Sequence, residues 1–467
     1  MDEKNKVSKE LKEKLFLKRK NGYTRISSED EKASFAFADD YKTFLDTAKT
    51  EREAVEEALR LLKAKGFTEY KKGMKLKAGD KVYRNNRGKA VLMAVIGTAP
   101  IEEGVRLCAA HIDSPRLDLK QNPLYEDNEL ALFKTHYYGG IKKYQWTTIP
   151  MALHGVIIKA DGSKVSVSIG EDENDPVFCV TDLLPHLATE QMTRTATKLI
   201  KGEDLNLLIG SIPFREDETS EAVKLNILNL LFEKYGITEA DFISSELEAV
   251  PAFKARDIGF DRSLIGGYGH DDRCCSYPAL RATLDCDAPV HTAVTVLTDK
   301  EETGSDGNTG LCSSYLEYFI HDLAESLGAK GRDVLSASEC LSADVNAAFD
   351  PTYPEVNERN NCAYINKGVC ITKYTGARGK SGTSDASAEF AGRIRRLMDS
   401  REVIWQTGEL GKVDAGGGGT VAAYIANLDV DTIDMGVPVL SMHAPFEVIS
   451  KLDLYMAYKA FAAFIAD

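Results

Sequence analysis

Between residues 40 and 65 the apolar positions Phe44, Leu45, Ala48, Val55, Leu59 and Leu62 recur at helical spacing, and Gly66 follows them. The spacing predicts one amphipathic helix closed by that glycine. The next segment, KVYRNNRGKAVLMAVIG, has two strand-like runs around Asn-Asn-Arg-Gly and predicts a hairpin. VRLCAAHID is short and unbroken in its apolar character, the pattern of a strand covered on both faces.

From about residue 120 to residue 260 the pattern changes to turn-punctuated, strand-like pieces. VIIKADGSKVSVSIG carries Asp-Gly as its turn, PVFCVTDLLPHLA follows, and SEAVKLNILNLLFEKYG has helical spacing. After residue 262 strands and helices alternate again. HTAVTVLT, DVLSASECLSAD and DTIDMGVPVLSMH read as strands, the last with a turn. GLCSSYLEYFIHDLAESLG, DASAEFAGRIRRLM and LDLYMAYKAFAAFIAD read as helices. Repeated βα units predict a largely parallel sheet with helices on both faces. The 467 residues exceed what one core holds, since single cores stop growing at roughly 250–300 residues. The expected organisation is an α/β domain built from residues 1–119 and 261–467, with a β-rich domain inserted at 120–260.

Composition narrows the function classes. The formal charge of −14 argues against a nucleic-acid or anionic-membrane partner, either of which needs a basic face. The charged N-terminus has no apolar stretch of a secretory signal, and no run approaches the ~20 apolar residues of a membrane span. Nine scattered cysteines without C-x-x-C spacing predict reduced thiols and a cytoplasmic setting.

The candidate chemistry sits at predicted strand ends. His111 and Asp113 lie in AAHIDSP, Glu301 and Glu302 in TDKEETGS, Asp344 in LSADVNAAFDP, and His443 in LSMHAPFE. Asp271 and Asp272 open a presumed helix in GHDDRCCSYPAL, which also contains Pro278. In open α/β sheets ligands bind beyond the carboxyl ends of the strands, so these groups are expected to converge. Adjacent carboxylates such as Glu301 and Glu302 repel each other and are costly to bury, and a pair of divalent cations would relieve both penalties. Histidines with carboxylates and no thiolate suit zinc, with cobalt or manganese as substitutes. Taken singly, each group has an ordinary structural use, such as a helix cap or a solvated loop charge. Only their joint occurrence points to a site.

HIDSPRLDLK, GHDDRCCSYPAL, DKEETGSDG, SADVNAAFDP and DMGVPVLSMHAPFE stand in the order they take in the aspartyl aminopeptidase/aminopeptidase I family of dizinc exopeptidases. The resemblance covers most of the chain. It implies a zinc-exopeptidase-like sheet, two zinc ions, and His111, Asp271, Glu302, Asp344 and His443 as metal ligands, with Asp271 bridging. It further implies Glu301 as general base and Asp113 as the group that orients His111. The implied reaction is hydrolysis of the N-terminal residue from peptides. The inserted domain would mediate dimers that build homododecamers.

His186 in LLPHLATEQM matches a family histidine, but the second histidine expected four residues later is Glu190 here. A histidine expected three residues after Asp344 is Ala347. Lys373, Arg378 and Lys380 lie near where the family recognises an acidic first residue, with Lys373 the nearest match. If one of them faces the pocket, N-terminal Asp or Glu is preferred; otherwise they are solvated loop charges. The glycine run 416–419 is not a P-loop, because no Gly-Lys-Ser/Thr ends it. The competing reading is a related dinuclear hydrolase of carboxypeptidase or acylase type, which would share the ligand pattern but differ in the middle domain.

Overall fold

The computed structural model describes every residue except Met1, Asp2, Lys18, residues 217–219 and Ala377, and for residues 3–6 the backbone alone. Three sheets organise it, of nine, seven and five strands. In the nine-stranded sheet Thr292–Thr298, Val105–His111, Glu339–Ser342 and Asp431–Gly436 lie side by side and run parallel. The hairpin Lys81–Asn86/Ala90–Val95 extends one side and Val369–Thr372 the other, both joined antiparallel to that centre.

Every residue of Val105–His111 and Thr292–Thr298 is buried. Alternation along the strand explains why an unbroken apolar run is needed. Cys108 and Ala110 join a core beneath the helices His270–Leu284 and Lys451–Ile465, whereas Leu107 and Ala109 join a core beneath Tyr315–Ser326.

Strands from residues 116 to 251 form the seven-stranded sheet, in which every pairing is antiparallel. It packs its own core, to which Val223 of the helix Ala222–Tyr235 contributes. Among the described residues no helix is long and apolar enough to cross a membrane.

The structure departs from the sequence pattern at four places. The single helix expected over 40–65 is the end of Ser28–Thr47 and a second helix, Glu51–Ala64. Thr50 caps the second helix: its hydroxyl accepts the Glu53 N–H, and the Glu53 carboxylate accepts the Thr50 N–H. That reciprocal cap stops the periodicity running through. DVLSASECLSAD splits into a helix, Gly331–Ser336, and a strand, Glu339–Ser342. The helix containing Pro278 leaves helical geometry at Asp271 and Asp272, not at the proline.

The fourth departure is the five-stranded sheet, made of Arg256–Ile258, Leu264–Gly267, Glu447–Ser450, Pro438–Leu440 and Asn346–Ala347. Its strands are too short to show an alternating pattern.

The close approach of two adjacent chain segments can be tested at Gly436. A Cβ there would overlap the Asp344 carbonyl oxygen, which is backbone and cannot swing away. Gly436→Ala should cost about 1–3 kcal/mol by overpacking and displace the turn that carries Asp344. A variant with unchanged thermal midpoint and unchanged bound metal would contradict this packing.

Candidate metal centre

Register brings the strand-end groups together. Thr298 pairs with His111, and Ser342 pairs with Ala109. The chain therefore leaves these parallel strands at one edge, carrying Asp113, the Glu301–Glu302 turn and Asp344. The five-stranded sheet supplies the opposite wall. Gly267 pairs with Glu447, so Asp271, after the first strand, and His443, before the second, emerge together.

At the centre, Asp271 lies between two imidazoles. Its Oδ1 is 3.1 Å from His111 Nε2 and its Oδ2 is 3.1 Å from His443 Nε2. His111 Nε2 is 3.8 Å from Asp344 Oδ1 and 3.9 Å from Glu301 Oε2. His443 Nε2 is 3.5 Å from Glu302 Oε1. The cluster thus has two ends, His111 with Asp344 and His443 with Glu302, that share one carboxylate. His111 Nε2 and Glu302 Oε1 are buried without a hydrogen-bond partner, so the contacts around them are electrostatic only. The ligand atoms of His111, Asp271 and Glu302 all lie within 4.8 Å of one another, and so do those of His111, Glu301 and Asp344. Orphaned donors at this spacing fit divalent cations held by imidazole and carboxylate, the donor set zinc accepts.

Carboxylates and a backbone carbonyl hold the cluster from behind. Glu447 accepts the Asp271 N–H at 3.1 Å and the His443 N–H at 2.7 Å, tying both loops of the second wall. Asp272 accepts the His111 N–H at 3.3 Å. Asp113 accepts the N–H groups of Glu301 and Glu302, both at 3.2 Å, and the Tyr138 hydroxyl at 2.8 Å. The Gly140 carbonyl accepts from His443 Nδ1 at 2.7 Å. Glu447 sat in the quoted HAPFE motif; Tyr138 and Gly140 had no signal in the sequence, because their partners are remote along the chain.

Electrostatics shows the same need for cations. Asp113, Asp271, Asp272, Glu301, Glu302, Asp344 and Glu447 crowd two imidazoles; Asp113, Asp271, Asp272 and Glu447 are buried and the other three half-buried. Burial, then Asp344, pushes Glu301 up to about 8. Burial and Asp271 push Glu302 well above its usual range, and burial also raises Asp344. Burial opposes ionisation of Asp271 too, but its contacts with His111 and His443 outweigh it and hold the carboxyl below the usual range. Burial disfavours the charged form of His443, yet Asp271 and Glu302 overcome this and raise it to about 10. Cys274 and Cys275 sit beside Asp272, and burial pushes the Cys274 thiol up to about 12, so it stays a thiol.

His111, Asp113, Asp271, Glu301, Glu302, Asp344 and His443 thus converge. Among the described residues, no hydrogen bond or ion pair joins His186, Lys373 or Arg378 to them. His186 is exposed. Lys373 and Lys380 share Asp385, at 2.8 and 2.9 Å, and Arg378 is exposed nearby. Glu190 pairs with Arg194 at 3.1 Å.

The family model described as aminopeptidase I zinc metalloprotease (M18) matches residues 44–465. A probable M18 family aminopeptidase 1 from Clostridium acetobutylicum is 51% identical over 459 residues, 97% of this chain and 99% of that protein. The crystal structure of an M18 family aminopeptidase from Thermotoga maritima superposes with a TM-score of 0.93 at 45% identity, covering 96% of this chain and 99% of that one. The mApe1 dodecamer of Saccharomyces cerevisiae shares the fold at 20% identity, with a TM-score of 0.74 over 92% of this chain and 96% of that one.

The proton load of the cluster predicts how it binds metal. At neutral pH Glu301 and His443 hold protons that cation binding must release. Zinc affinity should therefore rise between about pH 6 and pH 8, by about tenfold per pH unit for each proton released. Chelator competition across that range measures it, and a flat profile would contradict the assignment of these groups to the site.

Proposed function

The chain belongs to the aminopeptidase I zinc metalloprotease (M18) family, and on that premise we propose that it removes N-terminal residues from peptides at a two-metal centre with Glu301 as general base. The observation that carries this reading is the Asp271 carboxylate shared between His111 and His443, each 3.1 Å away, with Asp344 at one end and Glu302 at the other. The family match runs through the middle third of the chain, which favours an aminopeptidase over a carboxypeptidase- or acylase-like relative.

In this reading His111 and Asp344 would hold one zinc and His443 and Glu302 the other, with the Asp271 carboxylate between the two histidines available to either. Zinc there would supply Lewis acidity, polarising the scissile carbonyl and acidifying water. Glu301 takes the proton of the attacking water and returns it to the leaving amine. Its carboxyl suits both halves of that task. Burial and the neighbouring Asp344 disfavour its charged form, which favours uptake of a proton there. The backbone N–H of Glu301 is anchored on Asp113, which keeps the carboxylate over the cluster. Asp113 also orients the His111 ring, whose Nδ1 donates to the Asp113 carbonyl at 3.0 Å and lies 3.3 Å from its carboxylate.

A preference for N-terminal Asp or Glu is part of the proposal. Lys373 follows the strand Val369–Thr372, whose Thr372 hydroxyl accepts from Asn346, two residues beyond Asp344. Lys373 and Lys380 share one Asp385, so their segment keeps a surplus positive charge for an acidic side chain.

The unit at 120–260 is proposed as the dimerisation domain of a homododecamer. Its exposed Leu183, Leu184, Leu187 and Met192 support that role. His186, exposed in the same run, is proposed to contact substrate. The nine unpaired cysteines favour a reducing, cytoplasmic setting.

Glu301→Gln should keep its metal and its fold and lower kcat by about 10²–10⁴-fold, the usual worth of a positioned acid–base group. Near wild-type turnover would remove Glu301 from this role. For specificity, metal-stripped protein reloaded with zinc, cobalt or manganese is assayed on peptides beginning with Asp, Glu, Leu, Lys or Ala. Asp and Glu should lead, and Lys373→Met should lower kcat/KM for Asp by about tenfold or more while sparing Leu. Leu or Ala ahead in the wild type would keep the mechanism and discard the acidic pocket.

A further inference from the structure

We propose that Tyr138 and Gly140, at the end of one strand of the seven-stranded sheet, are positioning residues for the two histidines of the metal centre, Tyr138 acting through Asp113 and Gly140 through its carbonyl. The inference rests on the assignment of His111 and His443 as metal ligands.

Tyr138 is the last residue of Leu130–Tyr138 and pairs in register with Arg116 of the neighbouring strand. The Arg116 guanidinium lies over the Tyr138 ring, 3.9 Å from its centroid. That guanidinium is itself held by Glu51 at 3.3 Å, Asp118 at 2.8 Å and Glu248 at 3.2 Å. A buried ion network that joins the helix Glu51–Ala64 to the seven-stranded sheet therefore fixes where the phenol points.

It points at Asp113. Its hydroxyl donates to Asp113 Oδ2 at 2.8 Å, the oxygen that also accepts the Glu302 N–H. The other oxygen accepts the Glu301 N–H and lies 3.3 Å from His111 Nδ1, which also donates to the Asp113 carbonyl at 3.0 Å. One hydroxyl thus bears on a carboxylate that sets a histidine ring and the backbone of both glutamates.

Two residues further on, the Gly140 carbonyl meets His443 Nδ1 at 2.7 Å. A carbonyl can only accept, so Nδ1 carries a hydrogen, which leaves Nε2, on the side of Asp271 and Glu302, as the nitrogen that would bind a cation. The intervening Gly139 has φ +74°, and a Cβ there would come within 3.1 Å of Glu302 Oε2. That backbone favours glycine, and a larger residue would press on the Glu302 carboxylate. One short segment therefore supports opposite ends of the centre, and the seven-stranded sheet shapes the chemistry as well as packing its own core.

The test is Tyr138→Phe, which keeps the ring beneath Arg116 and removes only the hydroxyl. Zinc dissociation constants come from chelator competition, beside kcat, KM and the thermal midpoint of the metal-free protein. Zinc should bind about tenfold or more weakly, and kcat should fall while KM stays within about twofold. The midpoint should barely move, and Tyr137→Phe should match the wild type throughout.

In an Asp113→Asn background the same hydroxyl loss should change the zinc constant by less than about threefold, because its effect passes through that carboxylate. Gly139→Ala tests the segment independently and should also weaken zinc by crowding Glu302. Wild-type zinc binding and kcat in Tyr138→Phe would overturn the inference and leave the metal centre intact. An undiminished effect in the Asp113→Asn background would likewise overturn the route through Asp113. A wild-type protein that binds no zinc would overturn the metal centre and this inference together.

Discussion

A single buried carboxylate, Asp271, has an imidazole at each oxygen, and the surrounding architecture answers to that arrangement. Alone in a low-dielectric interior, so many neighbouring carboxyls could not all ionise; burial and mutual repulsion push most of them upward. Cations at the two ends reverse that logic, because each then balances carboxylates that would otherwise repel. The site is thus a cation-shaped deficit. Its rigidity comes from backbone N–H groups aimed at carboxylates, chiefly on Asp113 and Glu447.

No one sheet builds this deficit. The parallel centre of the nine-stranded sheet brings His111, the Glu301–Glu302 turn and Asp344 to one edge. The five-stranded sheet brings Asp271 and His443 to face them, with its strands paired across Gly267 and Glu447. The seven-stranded sheet closes the back through Tyr138 and the Gly140 carbonyl. Small shifts between sheets would therefore be felt at the metal ligands, and along the strand that leads to Asp344 the close approach of Gly436 leaves little slack.

Where sequence and structure differ, the cause is the range of the interactions involved. Periodicity ran from residue 40 to 65 because the residues on both sides of Thr50 face the same core, yet the Thr50–Glu53 cap starts a new helix there. DVLSASECLSAD looked like a strand because its first half, an exposed-and-buried mix, is as compatible with the short helix Gly331–Ser336. The five-stranded sheet was invisible because strands such as Asn346–Ala347 and Pro438–Leu440 are defined by partners rather than by their own residues.

The sequence by itself determined the α/β alternation, the β-rich character of the middle third and the histidine and carboxylate groups at the strand ends, because burial and strand–turn grammar are written locally. It also carried the ordered motifs on which the family resemblance stood. Only the tertiary structure decided that Asp271 stands between His111 and His443, that Glu447 ties two loops, and that Tyr138 reaches Asp113. Those facts depend on the register of paired strands and on hydrogen bonds between residues far apart in the chain, and no local pattern encodes a partner that distant.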